Sequence, residues 1–241
     1  TVEKDKVYAV FQQELGVTDT TIFTAGKLIH YKEISSAGDE NLTPSAVQHN
    51  VPAWALFAIF FIIVPLSINI VKEKSQGTMI RLITNPAPYS LFLLGKTFTY
   101  LLISLIQFYI MLLTGMYLFP LLGLPAFVVS HNFLELSVLA LFSGLAAIGL
   151  GIALGTIAST QEQSAPFGAT LVVILAAIGG IWVPVFIMPA IMQTISMISP
   201  MNWALNGFYT VLLRLGSWTA ILPDIILLFL SFFITKPENQ L

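Results

Sequence analysis

Four stretches of this chain, residues 51–71, 97–119, 136–158 and 165–188, contain no charged side chain. A bilayer core of about 30 Å needs roughly 20 apolar residues at a helical rise of about 1.5 Å each, and every one of these runs is long enough. A fifth run, 217–234, is interrupted by Pro223 and Asp224. All five are continuously apolar rather than alternating, so each must satisfy its own backbone hydrogen bonds in lipid. That demand selects helices and excludes a porin-like barrel. With 56% hydrophobic and 9% charged residues and a mean hydropathy of +0.87, the chain falls outside the range of soluble domains. The expected fold is an all-α integral membrane protein, a polytopic helical bundle with five spans.

Orientation follows from the short connections. Segment 72–96 carries Lys72, Lys74, Arg81 and Lys96, the tail 235–241 carries Lys236, and the loops on the other side hold only Arg214. Lysine and arginine accumulate on the cytosolic side, which places 72–96 and the tail in the cytosol. Residues 1–50 then lie outside. They mix seven acidic residues with four lysines, show helical periodicity through Val7, Val10, Phe11 and Leu15, and include a strand-like Lys27-Leu28-Ile29-His30-Tyr31. They read as the C-terminal part of an extracytoplasmic α/β domain. The chain starts at Thr1 with no leading apolar segment, so an upstream span is expected, giving six in the complete protein with both ends in the cytosol.

The basic connection has a pattern of its own. Gly77 is a natural break, Met79, Leu82 and Ile83 share a helical face, and Asn85 precedes Pro86. A short amphipathic helix is expected there, facing either lipid headgroups or a groove on another protein.

The run from Val71 through Glu73, Gly77-Thr78, Arg81 and Pro86 to Gly95-Lys96 resembles the first cytosolic loop of type-2 permeases of ATP-binding-cassette transporters. It matches at that loop's Glu, Gly-Thr, Leu, Pro and Gly-Lys positions. Ser199-Pro200-Met201-Asn202-Trp203 is similar to the Ser-Pro-x-x-Trp segment before the last span of that family. The likeness covers most of residues 50–234 and departs at the start, where the family's first span is absent. It implies a bacterial inner-membrane permease working as a homo- or heterodimer with a second permease subunit, coupled to a cytosolic ATP-binding-cassette ATPase. Residues around Glu73, Gly77, Thr78, Arg81 and Pro86 would pass nucleotide-driven movement into the spans. ATP and Mg would sit on the ATPase; this chain is expected to carry no cofactor and to be no enzyme.

The residues themselves agree with that division of labour. Gly95-Lys96-Thr97 has the ending of a phosphate-binding loop, but the glycine required five residues earlier is Ser90. His30, His49 and His131 are isolated in sequence, without metal-ligand spacing, and the absence of cysteine removes thiol chemistry. A net charge of -2 with no basic patch excludes a nucleic-acid role. Glu135 and Asp224 fall toward span ends, where a hydrated interface or a helix start is expected.

Ala147, Gly151, Gly155 and Ser159 recur every four residues and predict close packing against another helix, within the subunit rather than across a dimer. Gly179-Gly180 and Pro184 predict a break, after which 189–216 is expected to dip back into the membrane. Asn69, Gln107 and Ser143 are candidate polar lining residues of a pathway for a hydrophobic or amphiphilic cargo, and an envelope partner for the outer domain is a further expectation. The alternatives are a secondary transporter, which would need ionisable groups at mid-membrane, and a non-transporting membrane scaffold or assembly factor.

Overall fold

The computed structural model describes residues 44–77, 89–129, 133–214 and 218–235. Within them every regular element is helical. The first run forms α1, Ala46–Phe61, and α2, Ile63–Ser75. Ser45 caps α1 in a reciprocal box with Gln48, its hydroxyl accepting from the Gln48 amide at 3.3 Å while its own amide donates to Gln48 Oε1 at 3.0 Å. The break at Ile62 lies three residues before Pro65, which has no amide to donate to Phe61 and therefore interrupts the ladder there.

Helix α3, Tyr89–Leu113, runs into a π-helical segment, Thr114–Leu118, and a short α4, Phe119–Leu121. The Gly115 carbonyl in the π segment accepts from the Phe127 amide at 3.0 Å, so the connection that follows is bonded back to the widened turn. Helix α5 is Phe133–Ile157, with Glu135 in its first turn, where an acidic side chain suits the helix dipole. Helix α6, Gln161–Gly179, is capped by Thr160 and stops at Gly180, whose φ of 90° only a glycine adopts without strain. It therefore starts earlier and ends earlier than the apolar run 165–188.

Beyond it come a 3-10 turn, Val185–Ile187, then α7, Ala190–Ser196, and α8, Pro200–Leu212. Helix α9 is Trp218–Thr235. Four helical segments among the described residues are long and apolar enough to cross a membrane, and Trp218–Ile234 is a shorter apolar one.

Close glycine contacts fix the packing around α5. A Cβ on Gly151 would meet Leu66 at 2.9 Å, and one on Gly155 would meet Ile70 at 2.8 Å. The four-residue stripe thus faces α2 of the same chain, and van der Waals contact at that range is what small residues give helices in lipid. Helix α8 is driven into the bundle: Met201, Ala204, Leu205, Phe208 and Val211 are all buried against the main core. Helix α3 is the contrast, since Leu94, Phe98, Leu102, Ile106 and Ile110 are uncovered by protein. Only 22% of its apolar window is buried, against 61% for α5, so most of α3 is left for lipid or another chain.

Candidate functional site at the basic end of the first two spans

The last turn of α2 and the start of α3 come together at the end of the bundle that carries the lysines. Glu73 forms an ion pair with Lys96, whose ammonium also stands 5.0 Å from the centre of the Phe92 ring. The Lys96 side chain is 9% exposed and that of Glu73 22%, so this pair is largely withdrawn from solvent. The neighbouring Lys74 donates from Nζ to the Thr156 carbonyl in the last turn of α5 at 3.2 Å. Two consecutive residues of α2 therefore tie its end to both adjoining helices. Gly77 follows with φ +67°, a left-handed residue that turns the chain away just past the helix end.

Above the ion pair a groove of roughly 720 Å³ runs between α2 and α3. Phe61, Pro65, Asn69 and Glu73, four residues apart, form one wall, and Tyr100, Ile103 and Gln107 stand on the other. Asn69 Nδ2 donates to the Tyr100 hydroxyl at 3.2 Å, and Gln107 Oε1 is buried with no hydrogen-bond partner among the described residues. The groove mixes apolar side chains with the polar groups of Asn69, Thr99, Tyr100 and Gln107.

Of the residues singled out by sequence, the structure brings Glu73, Asn69 and Gln107 to this groove and puts Gly77 just past its charged end. Thr78, Arg81 and Pro86 lie outside the described residues. Ser143 is elsewhere: it is fully buried in the middle of α5, with its hydroxyl donating to the Leu139 carbonyl at 2.7 Å. Lys96, which the sequence offered as a cytosolic charge and as half of the Gly-Lys pair, acquires a specific partner in Glu73.

The opposite end holds two polar links that the sequence did not show. His49, isolated in sequence, is 7% exposed. Its Nδ1 meets the Tyr209 hydroxyl and its Nε2 the Ile181 carbonyl at 3.1 Å, joining α1 to α8 and to the turn after α6. Asp224 corrects the expectation of a hydrated or helix-starting carboxylate. It lies in the second turn of α9, is 8% exposed, and both of its oxygens accept from Asn206 Nδ2 at 3.3 Å. Partners 132, 160 and 18 residues away belong to other elements, so no local spacing could reveal them.

Residues 6–235 match the sequence profile of the ABC-2 family transporter proteins. The linearmycin resistance permease protein LnrN of Bacillus subtilis strain 168 is 28% identical over 160 residues, covering 65% of this chain and 40% of the relative. The chain thus spans less than half the length of that relative.

Proposed function

The chain belongs to the ABC-2 transporter family, and from that premise we propose that it is the permease subunit of an ATP-driven exporter, working as a pair of permeases with a separate cytosolic ATPase. In this reading 72–96 is the cytosolic segment that the ATPase pushes, and Glu73, Gly77, Thr78, Arg81 and Pro86 carry the movement into the membrane. The observation that supports it best is the double tie at the end of α2. Glu73 to Lys96 and Lys74 to Thr156 connect the start of that segment to α3 and α5, so displacement of the segment is felt by three helices at once.

The cargo we propose is hydrophobic or amphiphilic. Charged side chains are absent from the middle of the groove, where Phe61, Pro65 and Ile103 surround Asn69 and Gln107. A relative named for linearmycin resistance fits such a role, because export of a compound lowers its concentration in the cell.

Co-purification of the native protein from its membranes, followed by reconstitution, tests the reading. An ATPase should accompany the chain, and Arg81→Ala or Gly77→Val should lower transport per ATP hydrolysed. Purification without any ATPase, or transport that continues without ATP, would sink it.

One observation favours a second reading. A buried carboxylate in an apolar helix, Asp224, is what a proton-coupled carrier would use. Asp224→Asn decides between them: transport is abolished in a proton-coupled carrier, whereas an ATP-driven permease keeps it.

A further inference from the structure

We propose that Lys96 is a positioning residue for coupling, and that its ion pair with Glu73 braces both stems of segment 72–96 so that α2 and α3 move as one body. The inference rests on the reading that this segment receives the push of an ATPase.

Neither charge is where its own helix would put it. Glu73 lies in the last turn of α2, where the unpaired carbonyls disfavour an anion and where Lys72 and Lys74 are the residues the helix dipole supports. Lys96 is withdrawn from solvent, with Leu93 on the buried side of its helix and the Phe92 ring near its ammonium. An ammonium so placed requires a counter-charge, and Glu73 is the carboxylate that supplies it. The two residues flank the segment that the proposed function makes mobile. A contact at that point ties the two stems together and forbids them to slide independently. The Lys74 bond to Thr156 adds α5 to the same body on the other side.

The brace differs from a switch that opens during the cycle. A switch would have to lose the pair and leave two charges without partners beside the groove, which is unfavourable for both. A brace keeps the pair throughout, and so a permanent link between positions 73 and 96 should be compatible with transport.

The test uses the reconstituted complex of full-length permease and ATPase, reading transport per ATP hydrolysed. Lys96→Met and Glu73→Gln should each lower that ratio by about tenfold, and the charge-swapped double variant Glu73→Lys with Lys96→Glu should recover most of it, as directly coupled sites do. Lys96→Arg should stay close to the unaltered protein. A swap that is no better than the worse single variant, or single variants that transport normally, would overturn the brace.

A second arm does not depend on the single variants folding well. These 241 residues contain no cysteine, so Glu73→Cys with Lys96→Cys offers a pair for a short thiol cross-linker in a complex whose other thiols are blocked or removed. Cross-linking should raise the low coupling ratio of the double variant; an unchanged or lower ratio would refute the brace. If the unaltered complex itself fails to transport on ATP, the permease reading falls, and the brace falls with it. If the unaltered complex transports and only these variants behave otherwise, the brace alone is wrong.

Discussion

Along the first hydrophobic segment, the half in α1 and the half in α2 are held by different kinds of contact. Around α1, Val51, Leu56, Ile59 and Phe60 are buried in the main core. His49 bonds two separate elements, and Ser199 adds a bond from its hydroxyl to the Leu175 carbonyl at 3.3 Å nearby. Around α2, one face packs on the glycines of α5 through Leu66 and Ile70, while Asn69 and Glu73 look into a groove that stays open toward α3. Neutral, fully packed contacts hold one end; a charged pair and a groove hold the other. Apolar packing and satisfied neutral bonds have many points of attachment and little tolerance for displacement, and on α2 they are confined to the face toward α5, which leaves room on the face toward α3. The end with the groove is the one suited to motion.

Glycine substitutions break this contrast most strongly. At the closed end a Cβ on Gly179 would lie 2.8 Å from Met201 Cβ and 3.3 Å from the Asn202 amide. Gly179→Leu should cost about 3 kcal/mol or more and show as a large drop in thermal unfolding temperature in detergent, or as loss of folded protein. Next in size is Tyr209→Phe, which removes the hydroxyl facing His49 and leaves a buried imidazole nitrogen without its partner. A loss of about 1–3 kcal/mol is expected in the same measurement. Lys74→Ala deletes one exposed hydrogen bond to Thr156 and should cost about 0.5–1 kcal/mol.

The smallest effect belongs to the open end. Nothing lies within 4 Å of a Cβ on Gly95, so Gly95→Ala should leave stability unchanged or raise it by up to about 1 kcal/mol through better helix propensity. If Gly95→Ala destabilised as much as Gly179→Leu, the distinction between a packed and an open end would collapse.

Much of the architecture was legible in sequence because lipid imposes a length and a composition on every span. The glycine stripe of α5 announced a close neighbour for the same reason, since only small residues let backbones approach in lipid. The end of α6 was signalled by Gly179-Gly180, and the fold used Gly180 as its left-handed cap. Less was legible in the site. Glu73 and Lys96 both fell on positions of the resembled pattern, but their pairing was not legible, because Lys96 is a turn-by-turn neighbour of Phe92 and Leu93 in sequence and faces Glu73 only after α2 and α3 are set side by side. Ser143 shows the opposite case: a polar residue in a span suggests a pathway, yet here its hydroxyl bonds to its own helix one turn back.

By itself, the sequence determined that this chain crosses a membrane as helices, that the run 165–188 breaks at its glycine pair, and which connection carries the positive charge. These follow from hydrogen bonding and solvation, which act residue by residue along the chain. Only the tertiary structure decided that His49 meets Tyr209, that Asp224 meets Asn206 and that Lys96 meets Glu73. Such pairings depend on the rotation and register of one helix against another, quantities that side-chain packing sets in three dimensions and that no spacing within a single helix contains.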